Sequence, residues 1–174
     1  MSESFLGQLH AWHEFYLLVG TSAAALTGLL FVVISIGPEI VATRSSGGVR
    51  AFVTPTIVHF AAVLVVSALM LMPHVLPAIV AGLLLLGGLG ALAYLLSTGA
   101  HKQWRIGKLD REDWICYIGL PLLSYLLVIA AAAAIWLRSA HGTVVLAAAM
   151  ILLLVIGIRN AWDLVIWMAR QRKP

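Results

Sequence analysis

Charged residues are scarce in this chain: only 10% of its 174 residues are Asp, Glu, Lys or Arg, whereas 62% are hydrophobic. Soluble globular domains carry about a quarter charged residues, so this composition excludes the soluble globular class. The mean hydropathy of +1.03 agrees with that exclusion. We therefore expect an integral membrane protein whose charges are confined to short loops.

Cysteine is almost absent as well, because Cys116 is the one cysteine in the sequence. No disulfide can form within the chain. The sequence also lacks a phosphate-binding loop, a nucleophile elbow, an HExxH zinc motif and a CxxC pair, which are the short motifs that most often mark catalytic sites. Whether the protein is an enzyme stays open, and a non-catalytic role is favoured.

Five apolar stretches are long enough to cross a bilayer, which takes about 20 helical residues. They lie at about residues 15–37, 54–72, 75–98, 114–137 and 143–169. Their residues do not alternate between polar and apolar as barrel strands do, so helices are predicted. The predicted fold is an all-α integral membrane bundle of five transmembrane helices that forms a single domain over residues 1–174.

Lysine and arginine are distributed unevenly between the loops on the two predicted sides of the membrane. Arg138 lies on the side of the N-terminus, whereas nine lie on the other side: Arg44, Arg50, Lys102, Arg105, Lys108, Arg111, Arg170, Arg172 and Lys173. Cationic loops stay in the cytoplasm. We therefore predict an outside N-terminus and a cytoplasmic C-terminus in an inner (plasma) membrane, with anionic lipid on the cytoplasmic side. This topology accounts for the basic residues, and no nucleic-acid partner is predicted.

The first two predicted helices each carry a stripe of small or weakly polar residues. The first-helix stripe consists of Gly20, Ala24, Thr27, Gly28 and Ser35, and the stripe on the second helix includes Ser67. Small residues let helix backbones approach each other closely within a membrane. Two interpretations stay open here: the stripes are packing faces, within or between subunits, or they line a water path.

The last predicted helix contains the polar stretch RNAWDLV, in which Arg159 and Asp163 are four residues apart and share a face. Measured from the outer end of the helix, Arg159 lies about 24 Å down, near the inner headgroups; measured from Arg170, it lies about 16 Å deep, near mid-membrane. One interpretation is an ion pair that fixes this helix to its neighbours. The other is a cytoplasmic-side site for an ion, proton or small anion, formed by Arg159, Asn160, Asp163, His59, Thr56 and Glu39.

Four of the six histidines fall within the 24 residues of the predicted outer surface: His10, His13, His74 and His141. Imidazoles are ligands for Zn or Cu, and they also change charge near neutral pH. Three roles are therefore considered, a metal site, a pH-sensitive group or ordinary residues of the membrane interface. No other cofactor is predicted.

Three functions fit these features. The first is a homo-oligomeric channel or transport protein for an ion or small solute, because short helices with little extramembrane mass can pack and conduct but do little else. The second is a non-catalytic accessory subunit of a larger membrane complex, in which the stripes are docking faces. The third is a membrane enzyme that binds a metal or another cofactor through the histidines.

Overall fold

The structure, a computed structural model, describes residues 5–36, 46–100 and 115–171. Its helices are α1 (Phe5–Ala11), α2 (His13–Ile36), α3 (Ser46–Met70), α4 (Pro77–Ala100), α5 (Leu120–Trp136) and α6 (His141–Gln171). A π-helical turn, Ile115–Gly119, leads into α5. No strand occurs in these ranges, and the prediction of an all-helical protein is confirmed.

Four helical segments of the described chain are long and apolar enough to cross a membrane: His13–Ile36, Pro77–Ser97, Ile115–Trp136 and His141–Ile166. This finding indicates a membrane protein. α3 contributes a shorter apolar segment, Thr54–Met70, although the helix itself begins at Ser46, well before the predicted start at residue 54. Pro55 therefore lies inside α3, where apolar helices tolerate proline because neighbouring helices and local adjustments accommodate the lost backbone hydrogen bond.

The spatial order of the helices differs from their order along the chain. α3 packs along α2 and α6, α6 also packs along α5, and α5 packs along α4. The order across the bundle is thus α2, α3, α6, α5, α4. α3 and α4 are joined by a short turn, but they meet over only a small area. α6 and α5 lie between them in the bundle.

The turn between α5 and α6 brings the two helices together at one end of the bundle. Arg138 adopts a left-handed conformation with φ 56°, and its N–H donates to the carbonyl of Ile135 at 3.0 Å. A Cβ on Gly142 would lie 2.7 Å from Ile135 Cγ1 and 3.1 Å from its backbone nitrogen. Glycine is therefore needed at position 142 for α6 to start this close to α5.

The π-helical turn lies directly before the first turn of α5, which contains Pro121. Proline has no N–H to donate within a helix, and wider turns and kinks occur where the regular hydrogen bonds are interrupted. Here the irregular turn ends at Gly119, and α5 proceeds regularly from Leu120 with Pro121 in its first turn. The turn carries Cys116 and Tyr117 to side chains of α6.

Candidate functional site

A histidine and a tyrosine from different helices form a hydrogen bond inside the bundle. His59 on α3 is 4% exposed and Tyr125 on α5 is 3% exposed. His59 Nδ1 lies 2.8 Å from Tyr125 Oη, and the ring centroids are 5.9 Å apart. Buried imidazole and phenol groups need such partners, since an apolar interior offers no water to replace them. This pair connects α3 to α5.

The direction in which Asn160 faces on α6 follows from the contacts of residues on either side of it. A Cβ on Gly157 would overlap the ring of Phe60, so position 157 faces α3. Asp163 accepts a hydrogen bond from Tyr117, so position 163 faces the segment that leads into α5. At about 100° per residue, Asn160 lies midway between those two positions. Its side chain therefore points toward the space between α3 and α5.

Thr56 completes this region, which we call the α3–α5–α6 cleft and define by Thr56, His59, Tyr125 and Asn160. Thr56 is fully buried and lies one turn before Phe60 on α3. Asn160 is 1% exposed, and among the residues that the structure describes its Oδ1 atom has no hydrogen-bond partner. The cleft thus combines one satisfied polar pair with an amide oxygen that lacks a donor.

A second polar group, which we call the Arg159 cluster, consists of Arg159, Asp163, Cys116 and Tyr117. Tyr117 Oη donates to Asp163 Oδ2 at 2.7 Å. Arg159 Nε lies 4.0 Å from the same oxygen, with the two side chains 41% and 32% exposed. Arg159 Nη1 also donates to Cys116 Sγ. The guanidinium is therefore shared between a loose ion pair within α6 and the thiol of the preceding π turn.

The position of the Arg159 cluster along the bundle follows from its partners. Cys116 and Tyr117 lie at the start of the apolar segment Ile115–Trp136, so Arg159 lies at that end of the bundle and away from its middle. Helix α6 continues to Gln171 beyond that level.

The small-residue stripe of α2 is divided between two environments. A Cβ on Gly20 would lie 2.7 Å from Ser67 Cβ, so Gly20 packs directly on α3. Thr27 is partly buried and donates to the Ala23 carbonyl at 2.8 Å. The other members, Ala24, Gly28 and Ser35, are exposed. Only part of the stripe therefore forms a contact within the chain.

The stripe on α3 is buried within the chain itself. Five of its six predicted members are each at most 4% exposed: Thr56, His59, Val63, Ser67 and Met70. The sixth, His74, lies in the turn after α3 and is exposed. Within the described part of the chain, Ser67 Oγ has no hydrogen-bond partner. Because α2, α5 and α6 cover this face, it does not present polar groups to a second copy of the chain.

The four histidines of the predicted outer surface lie apart from the cleft. Glu39 falls outside the described residues. His10, His13, His74 and His141 are exposed, and His141 Nδ1 lies 3.3 Å from Ser139 Oγ. Over residues 5–36, 46–100 and 115–171, no group of three or more His, Cys, Asp or Glu side chains is placed to hold a metal ion.

Three residues of these sites are absent from the predictions: Tyr125, Tyr117 and Cys116. A tyrosine within an apolar helix is itself a signal, because its hydroxyl requires a partner when buried. The sequence does not reveal that partner, which lies 66 positions away for Tyr125 and 46 for Tyr117.

The chain matches no family model, no curated protein and no solved structure. Its function is therefore inferred from the cleft and the Arg159 cluster.

Proposed function

We propose that the protein is a multi-pass membrane transport protein that conducts protons through the interior of its own helix bundle. The observation that carries this proposal is the buried hydrogen bond between His59 Nδ1 and Tyr125 Oη. Histidine is the side chain whose ordinary pKa lies nearest to neutral pH. Ionisable side chains inside membrane bundles are costly, and they commonly mark ion and proton pathways.

The polar groups of the bundle form a series that leads from this pair to one end. On α3, Thr56 lies one turn before His59. Asn160 belongs to α6 and faces the cleft from the other side. Asp163 follows one turn later on α6 and is 32% exposed. Along each of these two helices the polar groups are about one helical turn, or about 5.4 Å, apart. The proposed path crosses from the His59–Tyr125 pair to Asn160 and ends at the Arg159 cluster.

In the proposed topology the chain crosses the membrane five times. The four long apolar helices each cross once, and α3 adds one crossing between those of α2 and α4. Tyr16 Oη donates to the Thr143 carbonyl at 3.4 Å, which supports placing the starts of α2 and α6 at the same end. The contact of Arg159 with Cys116 lies at the opposite end. Together with the cationic loops, this favours an outside N-terminus, a cytoplasmic C-terminus and anionic lipid beside the Arg159 cluster of an inner (plasma) membrane.

Self-association is proposed through the outer helices α2 and α4. A Cβ on Gly28, Gly87 or Gly90 would meet nothing within 4 Å in the described part of the chain. Exposed glycines on apolar helices allow another helix to approach closely. Each chain of such an oligomer would carry its own pathway, because the polar face of α3 is buried inside the subunit.

The test is proton flux into liposomes that contain the purified protein and an internal pH-sensitive dye, with a valinomycin-set potassium potential as the driving force. His59→Gln puts at this position a polar amide that can hydrogen-bond but does not titrate, and we expect it to lower the flux about tenfold or more. The matched control is His141→Gln, which removes an exposed histidine and should leave the flux unchanged. Equal flux through wild type and His59→Gln would overturn the proposal.

A second function, accessory subunit of a larger complex, is favoured by the same exposed glycines on α2 and α4. In that case these edges dock onto other membrane proteins, and the buried polar groups serve only to satisfy one another. This alternative predicts that the protein purified from its native membrane in mild detergent elutes with stoichiometric partners. It also predicts no proton flux from the protein alone.

A further inference from the structure

Asn160 is the polar side chain of the proposed pathway whose oxygen has no hydrogen-bond donor among the described residues. Its side chain is 1% exposed, and its Oδ1 atom accepts no hydrogen bond from any residue that the structure describes. A buried acceptor without a donor loses the hydrogen bonds that water gave it in the unfolded chain. Such groups are commonly satisfied by a bound water molecule or ion.

The chemistry of the unpaired Asn160 Oδ1 atom restricts what can bind to it. An amide oxygen accepts hydrogen bonds or coordinates a cation, so an anion does not bind to this atom. The nearest charges on α6, Arg159 and Asp163, have opposite signs, so α6 does not favour a cation over a neutral ligand. A neutral O–H donor of small size fits these conditions, and that donor is water.

We propose that Asn160 binds a buried water molecule in the α3–α5–α6 cleft and that this water continues the proton path from the His59–Tyr125 pair toward Asp163. The relay role rests on the proposed function, whereas the water site does not. One O–H of the water donates to Asn160 Oδ1, which leaves its second O–H and its lone pairs for transfer. A proton taken up by the water oxygen from one side is matched by one released to the other side, so the water is regenerated.

Ser67 provides a comparison within the same molecule. Its Oγ atom is also buried and without a hydrogen-bond partner in the described chain. It lies in contact with the position of Gly20, between α2 and α3, where a Cβ on Gly20 would be 3.1 Å from the hydroxyl oxygen. No charged side chain is within one helical turn of Ser67 in the sequence. We expect no role for Ser67 in proton transfer.

The water can be detected directly because Asn160 is the one asparagine in the sequence. Protein labelled with isotopic asparagine and leucine, reconstituted into lipid, gives a single side-chain amide signal in solid-state NMR. We expect magnetisation from water to reach this amide well before it reaches the buried leucines of α6. If magnetisation from water reached the Asn160 amide no faster than it reached those leucines, the water site would be overturned.

Flux measurements test the relay. Asn160→Leu removes the acceptor at similar volume, and we expect the proton flux to fall about tenfold. Asn160→Asp retains an oxygen at this position and should keep most of the flux. Ser67→Ala, the control, should stay within about twofold of wild type, as a change remote from the transfer path does. Unchanged flux in Asn160→Leu would overturn the relay.

The NMR and flux measurements together show whether the proposed function or the water site is wrong. A wild type that shows water transfer to Asn160 but no proton flux refutes the proposed function and retains the water site. Flux that depends on His59 without water transfer to Asn160 refutes the water site and retains the proposed function. The NMR measurement uses the unaltered sequence, so it remains decisive even where a variant at Asn160 does not fold.

Discussion

The helices α6 and α4 are almost equally hydrophobic, yet they occupy different places in the bundle. Their most apolar segments have mean hydropathies of 2.4 and 2.3, but 50% of that segment is buried in α6 and only 22% in α4. α6 packs against α5, α3 and α2, whereas α4 packs mainly against α5. Hydropathy therefore accounts for both helices being in a membrane, but it does not determine which one is central.

The glycines of the two helices explain part of this difference. On α6, Gly157 packs directly against the ring of Phe60, and Gly142 packs directly against Ile135. On α4, Gly88 has a similarly close neighbour, with Ile129 Cγ1 at 2.8 Å from an added Cβ, but Gly87 and Gly90 face open space in the described structure. A central helix thus uses its glycines for contact within the chain, and an outer helix leaves several of them free for lipid or another chain.

The largest effect on folding is expected from Gly157→Leu. The new side chain would occupy the position of the Phe60 ring, and overpacking of this kind lowers the free energy of unfolding by about 1–3 kcal/mol. Gly87→Leu on α4 is the matched control and should change it by no more than about 0.5 kcal/mol. Thermal unfolding in mild detergent measures both. Equal losses for the two variants would contradict the distinction between a central and an outer helix.

Tyr125→Phe should give the next largest effect, because it leaves His59 Nδ1 buried without its partner. The expected loss in the free energy of unfolding is about 1–2 kcal/mol. Tyr94→Phe on α4 makes the same chemical change at a side chain that is 38% exposed, and its effect should be smaller. Denaturant unfolding of the two variants in the same detergent makes the comparison. An effect of Tyr94→Phe that matches or exceeds that of Tyr125→Phe is the result that would contradict the prediction.

Arg159→Gln should have a smaller effect, since the ion pair with Asp163 is long and both groups are partly exposed. Such pairs contribute about 0.2–1 kcal/mol. Tyr117→Phe removes the 2.7 Å hydrogen bond to the Asp163 carboxylate. Because that side chain is 32% exposed and water can replace the phenol, the expected loss is about 1 kcal/mol. Thermal unfolding should therefore rank Tyr117→Phe as the more destabilising change. The reverse ranking would mean that Arg159 has the more important structural role at this end of the bundle.

Gly28→Leu on α2 should have almost no effect on the stability of a single chain, because nothing within the described structure lies near the added side chain. It should instead weaken self-association by separating the two backbones. Light scattering of the purified protein in detergent would show the change as a lower mass than wild type has. A wild type that is monomeric would contradict the proposed association itself.

Predictions that depended only on hydropathy and on residue spacing within one helix agree with the structure. The long apolar runs form helices, and the polar stretch near Arg159 brings Arg159 and Asp163 to one face of α6. The apolar segment of α3 begins at Thr54, but the helix itself begins at Ser46 and continues through Pro55, which the apolar run alone does not indicate. The fate of the small-residue stripe on α2 was not predictable either, since Gly20 and Gly28 look alike in the sequence but only Gly20 contacts a neighbour.

The sequence by itself determined the membrane class and the helical secondary structure, because an apolar helix in a membrane satisfies its backbone hydrogen bonds within its own segment. Tertiary structure decided which helices are central, that His59 meets Tyr125, and that Asn160 lies between α3 and α5 without a donor among the described residues. Those contacts join residues from segments far apart in the chain. They depend on the register and shape of packed side chains, which hydropathy and spacing along one helix do not record.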